Sequence, residues 1–258
     1  MIKAVFFDID GTLVSFKTHQ VPQSTIDALD VLRKKGIKVF ISTGRQLHSI
    51  NNLGTLEFDG YITLNGSRCY AEKNKLIFEQ AIPDEDIRSL IEYQNTVEQF
   101  PCAYVMDNET LLNYKNEDVD RLFALLNFPE PPIGDVSYLQ GKTVYQLIAF
   151  FTVEQESRIM ASMPHCRATR WNPLFSDVVP SNSNKAIGID HIIRHYGISL
   201  NETMAFGDGG NDKEMLQHAG IGVAMGNSLA DVQAVADYVT TSVDENGVSH
   251  ALKHFGLI

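Results

Sequence analysis

The chain has 258 residues, 44% of them hydrophobic and 21% charged, and its 32 Asp and Glu outweigh 21 Lys and Arg to give a net charge of −11. That length can bury a substantial core in one or two domains, and the composition excludes fibrous and disordered classes. The negative balance argues against long nucleic acids as partners. No apolar run is long enough to span a bilayer, and the first one is cut at Asp8, so neither a membrane partner nor a signal peptide is expected. Cys69, Cys102 and Cys166 form no CxxC pair, which disfavours a disulfide framework or structural zinc and points to a reducing cytoplasm.

In chain order, residues 2–8 read as a strand ending on Asp8-Ile9-Asp10-Gly11-Thr12. A helix at 24–35 closes on the basic Arg33-Lys34-Lys35 and stops at Gly36. A strand at 37–42 then runs into Thr43-Gly44-Arg45, and a helix is expected at 45–53. Tyr61 to Ser67 reads as a strand and turn with a second arm near Arg68 to Phe78. From Pro83 the rhythm changes to helices near 84–98 and 116–127 with strands near 102–106, 144–151 and 165–171. This α+β stretch is bracketed by Ile82-Pro83 and Pro180-Ser181-Asn182-Ser183. The alternation then resumes, with helices at 184–196, 210–218 and 228–235 and strands at 203–207, 221–224 and 237–240. Strands alternating with helices predict an α/β fold with a doubly wound, Rossmann-like parallel sheet. We place its domain at 1–82 and 181–258 and an inserted domain at 83–180, although composition alone leaves the middle open as a continuation of the core.

Four segments carry residue types that a core does not need. Asp8 and Asp10 end a buried strand, where unpaired carboxylates are rare; the alternative is an Asp-rich turn. Thr43 and Gly44 offer an oxyanion a hydroxyl and an approachable backbone amide. Arg45 beside them suits either substrate contact or a structural ion pair. Lys185 puts an ammonium in the first turn of a helix, where it opposes the macrodipole. Asp208, Asn211 and Asp212, spaced by glycines, suit a hard divalent cation. Other features read as ordinary structure. His191 and His195, four apart on a helix, lack a third ligand; Gly220 to Gly226 has the wrong spacing for a dinucleotide loop; Trp171, Tyr145, Phe150 and Phe151 read as core.

Taken together, DIDGT, Thr43, Lys185 and GDGGND stand in the order of the haloacid-dehalogenase superfamily, which the chain resembles. Gly222 to Asn227 and Ala236 to Thr240 look like its Cof-type branch of sugar-phosphate phosphatases. The resemblance covers most of 1–80 and 180–258 and implies that 83–180 is the α+β cap of that branch, in which we find no motif. It implies that Asp8 is the nucleophile that forms an aspartyl phosphate and Asp10 the general acid and then base. Backbone amides near Ile9 and Gly44, with Thr43, Arg45, Lys185 and Asn211, would bind phosphate or substrate. Asp8, the carbonyl of Asp10, Asp208 and Asp212 would serve the metal, Asp212 directly, through water, or by orienting Lys185. Three acids and a phosphate dianion repel one another by about 4 kcal/mol per pair at 4 Å and an effective dielectric of 20. A divalent cation plus Lys185 offsets most of this, and an all-oxygen ligand set favours Mg2+.

The resemblance thus implies a magnesium-dependent phosphatase for small phosphorylated metabolites, hexose or other sugar phosphates foremost. An acid at position 10 favours rapid hydrolysis, since transport ATPases of the superfamily carry a hydroxyl residue there. A sugar phosphomutase with the same acids is one alternative, and a non-catalytic binding or regulatory protein on the same scaffold is another.

Overall fold

A computed structural model describes residues 1–72, 75–126 and 129–258. They form two compact units, one made of Met1–Glu79 with Asn184–Ile258 and the other of Gln80–Ser183. The first begins with β1 (Ala4–Phe7), α1 (Gln23–Lys34), β2 (Lys38–Ser42), β3 (Gly60–Thr63), β4 (Arg68–Ala71) and β5 (Lys75–Glu79). The second contains α2 (Asp84–Thr96), β6 (Cys102–Val105), β7 (Thr110–Leu112), α3 (Glu117–Leu126), β8 (Gln146–Ala149), α4 (Val153–Met160), β9 (Cys166–Thr169) and β10 (Ser176–Pro180). The first unit is then completed by α5 (Lys185–Tyr196), β11 (Thr203–Gly207), α6 (Lys213–His218), β12 (Ile221–Ala224), α7 (Ala230–Gln233), β13 (Tyr238–Val239) and α8 (Gly247–His254).

The first unit is built on a sheet of order β13-β12-β11-β1-β2-β3-β4-β5, parallel from β13 through β3 and antiparallel at β4 and β5. Its central strands β1, β2 and β11 are buried along nearly their whole length because both faces are covered. Val5 and Phe7 of β1 join a core with Leu29 and Leu32 of α1 and Val248 and Leu252 of α8. Ala4 and Phe6 point the other way, into a core with Ile189 and Ile192 of α5 and Met215 and Leu216 of α6. Each fully buried Phe or Leu contributes roughly 1.5–3 kcal/mol of transfer free energy. This two-sided burial makes the expected α/β, doubly wound class.

The second unit is an antiparallel sheet of order β7-β6-β8-β10-β9. Cys102, Tyr104, Leu147 and Val178 on one face pack with Ile87 and Leu90 of α2 and Ile159 of α4. Ala103 and Leu112 on the other pack with Val119, Leu122 and Phe123 of α3.

Several elements differ from the sequence reading. No α-helix forms at 45–53: the Arg45 carbonyl accepts the Leu64 N–H, and only a short 3-10 turn forms at Leu47–Ser49. The loop spends its backbone on a neighbouring loop, which side-chain periodicity does not reveal. Strands β7 and β10 and helices α4 and α8 were absent from that reading. Helix α4 carries the capping box Thr152/Gln155, a legible signal. The last residue of the helix expected at 116–127, and two within the arm near 68–78, lie outside the described residues. His191 stacks on Phe78 with ring centroids 3.7 Å apart, and Tyr145, Phe150 and Phe151 are buried, as ordinary structure requires.

One ion pair of the second unit is testable. Buried Asp86 in the first turn of α2 accepts the His165 N–H at 3.0 Å and lies 2.9 Å from His165 Nδ1, with Glu85 3.4 Å from the same nitrogen. The hydrogen bond and charge of Asp86 raise the His165 pKa above its usual value. A raised histidine stabilises the fold fully below its unfolded pKa of ~6.5, and that contribution is lost as pH rises through the folded value. We expect an NMR titration of His165 to have its midpoint above ~6.5 and to move down in Asp86→Asn. An unchanged midpoint in the variant would mean that no ion pair forms in solution.

Candidate active site

In the first unit, the parallel strands β11, β1 and β2 lie side by side and end together, and their carboxyl-terminal loops carry the site. The backbone N–H of Asp8 still pairs with the Phe206 carbonyl, so its side chain emerges from the last rung of the sheet. The next residues coil back at once, as the Ile9 carbonyl accepts N–H groups from Thr12, Leu13 and Val14. Ile9 itself is fully buried. Gly11 makes this turn possible: its φ is +90°, and a Cβ there would lie 2.1 Å from Asp208 Oδ2. Thr12 donates its hydroxyl to Asp208 Oδ1 at 2.8 Å, tying the loop after β1 to the loop after β11.

Helix α5 delivers Lys185. Asn184 caps the helix, its side chain accepting the Ile187 N–H at 2.7 Å, and Lys185 is the first helical residue. Its ammonium is wholly buried and donates to Asp8 Oδ1 at 2.7 Å and Asp212 Oδ1 at 2.6 Å. Burial opposes this charge, but Asp212 and Asp8 overcome it and raise the lysine pKa above its usual range. Asp212 is committed on both oxygens, since Oδ2 accepts the N–H groups of Asp208 and Gly209 at 3.0 and 2.9 Å. Gly207 must lack a side chain here, because a Cβ would sit 2.5 Å from that of Asp212.

From β2, buried Thr43 accepts the Arg45 N–H on Oγ1 at 3.1 Å, and its backbone pairs with Ile62 and Asn65. Gly44 lies between them. The Arg45 guanidinium turns onto Asp10, giving Nε to Oδ2 at 2.6 Å and Nη2 to Oδ1 at 2.5 Å. Asn211 donates to Asn65 Oδ1 at 2.9 Å. One network therefore joins Asp8, Lys185, Asp212 and Asp208, and beside it stand the Asp10–Arg45 pair and the Asn211–Asn65 pair.

Four carboxylates face two cations here, an excess of about two negative charges. Burial, opposed by Lys185 and reinforced by Asp212 and Asp10, pushes the Asp8 carboxyl up to about 7. Burial and the nearby Asp8 and Asp212 hold Asp208 well above the usual carboxylate range. Oxygens of Asp8, Asp208 and Asp212 lie within 4.8 Å of one another. An all-carboxylate set with two surplus charges fits a hard divalent cation, whose charge would lower these pKa values again. The other such group among the described residues, Glu85, Asp86 and His165, is the ion pair of the second unit.

Two residues absent from the sequence reading of the site complete it. Asn227 donates through Nδ2 to the Gly11 carbonyl at 2.9 Å and to Asp208 Oδ2 at 3.2 Å, while its Oδ1 accepts the Val243 N–H. Asn65, with φ 52°, supports Asn211 from the loop after β3. An asparagine in the left-handed region is a recognisable turn signal, but its partner is fixed only by the fold.

Comparison with known proteins agrees with this arrangement. The chain is 33% identical over 258 residues to the putative phosphatase YkrA of Bacillus subtilis strain 168, covering 99% of this chain and 98% of that one. It is 28% identical over 264 residues to the HMP-PP phosphatase of Escherichia coli O6:H1, covering 99% and 96%. Among solved structures, the HAD subclass IIB sugar phosphatase BT4131 superposes with a TM-score of 0.93 at 46% identity, over 99% of this chain and 100% of that one. The family model for haloacid dehalogenase-like hydrolases matches residues 5–252, and the chain belongs to that family as one of its phosphatases, a phosphoric monoester hydrolase.

Proposed function

We propose that the protein is a magnesium-dependent phosphatase of small phosphorylated metabolites, sugar phosphates foremost, acting through a phosphorylated Asp8. The observation that carries this reading is the buried Lys185 ammonium held between Asp8 and Asp212 at the ends of adjoining elements. A buried cation that fixes one oxygen of a strand-end carboxylate leaves the other to act as a nucleophile. The sugar preference is supported by the sugar phosphatase at 46% identity, while the relative named for HMP-PP marks another phosphate ester to test.

In the first step an Asp8 oxygen would attack phosphorus in line as the phosphorus–ester oxygen bond breaks, with Asp10 giving its proton to the departing alkoxide. In the second, Asp10 would take a proton from water, whose oxygen attacks phosphorus and returns Asp8 as a carboxylate with release of phosphate. Thr43, the amides of Ile9 and Gly44, Lys185 and Asn211 would hold the phosphoryl oxygens, stabilising charge that develops in transfer. Asp8, Asp208 and the Asp10 carbonyl would hold Mg2+, which when bound neutralises phosphoryl charge. With both its oxygens engaged, Asp212 fits the role of orienting Lys185 better than that of a direct ligand. We assign residues 83–180 the role of a cap that selects the leaving group, because every residue named in these steps lies outside them. Three free thiols fit a cytoplasmic home, and among the described residues no helix is long and apolar enough to cross a membrane.

The decisive assay is phosphate release from a panel of sugar phosphates, nucleotides and cofactor phosphates. Asp8→Asn is expected to keep its fold by circular dichroism and lose at least about a hundredfold in rate, a barrier increase of ~2.7 kcal/mol or more. A smaller loss would remove Asp8 from the nucleophile's role. Chelation should abolish activity and Mg2+ restore it, with Ca2+ restoring much less because its larger, looser shell suits in-line geometry poorly. Full activity after exhaustive chelation would overturn the metal assignment.

A further inference from the structure

Arg45 stands next to Thr43 and Gly44, where a cation would be expected to meet the phosphoryl group. Its guanidinium is instead engaged elsewhere. Nε and Nη2 form a parallel pair of hydrogen bonds to the two oxygens of Asp10, and Nη1 reaches the Ser49 carbonyl at 3.5 Å. The Arg45 side chain is only 6% exposed and that of Asp10 18%, so the pair is shielded from bulk water. The backbone around Asp10 is closed by the Gly11–Val14 hydrogen bond and an Asp10–Val14 bridge. These bonds place the Asp10 Cα but leave its side-chain torsions undetermined. Among the described residues, both hydrogen bonds accepted by its carboxylate come from Arg45. A two-pronged planar contact fixes the plane as well as the position of a carboxylate, which a lysine would not do.

We propose that Arg45 is the positioning residue for Asp10, setting the torsion and plane from which that carboxyl meets the leaving-group oxygen, and is not a ligand of the phosphoryl group. This rests on the acid–base reading of Asp10 above. Proton transfer to a departing oxygen is sensitive to displacement of about 1 Å, so loss of the guanidinium degrades the step that needs the proton most. A sugar alkoxide needs it; an aryl phenolate needs it much less.

The test compares kcat/KM for a sugar phosphate and for p-nitrophenyl phosphate in wild type, Arg45→Ala, Arg45→Lys, Asp10→Asn and the double variant Arg45→Ala/Asp10→Asn. Inorganic phosphate is used as a competitive inhibitor, and folding is checked by circular dichroism. Arg45→Ala is expected to lower the sugar ester by about a hundredfold, within the usual range for general acid catalysis, and the aryl ester by much less, with phosphate inhibition unchanged. Arg45→Lys, which keeps the charge and loses the fork, should fall between. Added guanidinium at millimolar concentration should restore part of the Arg45→Ala rate on the sugar ester, and in the Asp10→Asn background removing Arg45 should cost little more. Equal losses on both esters with weakened phosphate inhibition would make Arg45 a phosphoryl ligand and overturn the proposal. If Asp10→Asn itself shows no leaving-group selectivity, the acid–base reading fails. If Asp10→Asn is selective and Arg45→Ala is not, that reading stands and the positioning role of Arg45 fails.

Discussion

The site depends on a single ammonium buried between two carboxylates. Taking Lys185 out of water costs several kcal/mol, and so does burying Asp8 or Asp212. Only short, well-aimed contacts compensate, which is why the distances around Nζ are 2.7 and 2.6 Å and why Asp212 is fixed by two further backbone N–H groups. The glycines follow from the same constraint. Gly11 and Gly207 stand where a methyl group would strike Asp208 and Asp212, and at Gly66 a Cβ would lie 2.1 Å from the carbonyl of Asn184, the residue that caps the helix bearing Lys185. Close approach of backbone to a carboxylate at two loops, and to the cap of the lysine's helix at a third, is the steric counterpart of the charge balance at the lysine.

The same balance explains the two modes of cation use. Lys185, a compact point charge, sits between two acids and serves both, whereas Arg45, a planar fork, takes both oxygens of one acid. Exchanging them would fail for geometric reasons, since a fork cannot bridge two diverging carboxylates at one atom and a point charge cannot fix a carboxylate's plane. The surplus negative charge is then confined to Asp8 and Asp208. Burial of each carboxyl, reinforced by the neighbouring acids and only partly offset by Lys185, raises Asp8 to about 7 and lifts Asp208 above the usual carboxylate range.

Much of this was legible because chemistry and strand ends coincide in the sequence. Asp8, Thr43 and Asp208 each follow an apolar run, and a parallel sheet exposes its ligand sites at such ends. Lys185 was visible as a cation at the wrong end of a helix. What could not be read were contacts between loops far apart in the chain. Thr12 with Asp208, Asn211 with Asn65, and Asn227 with Gly11 and Asp208 are ordinary polar residues until the fold joins them. Arg45 shows the limit most clearly: its neighbours gave equal weight to substrate and ion pair, and only the position of Asp10 distinguishes them. The absent helix at 45–53 has the same origin, since a backbone carbonyl used by Leu64 is invisible to side-chain periodicity.

The strand-end residues of the site come from both ends of the chain. Strand β11 pairs in parallel with β1, Ala4 against Thr203 and Phe7 against Phe206, and β1 pairs with β2 on its other side. Those two ladders alone align the loops that carry Asp8, Thr43 and Asp208, and α5 enters immediately before them with Lys185. The stretch from Gln80 to Ser183 forms its own sheet with its own apolar cores. Gln146 and Asp177 are buried on its sheet and joined at 3.1 Å. Apolar side chains that fill a core leave no spacing of chemical groups to read, whereas acids, hydroxyls and a lysine at strand and helix ends do, so the strand-end motifs are readable in this chain while the inserted unit offered none.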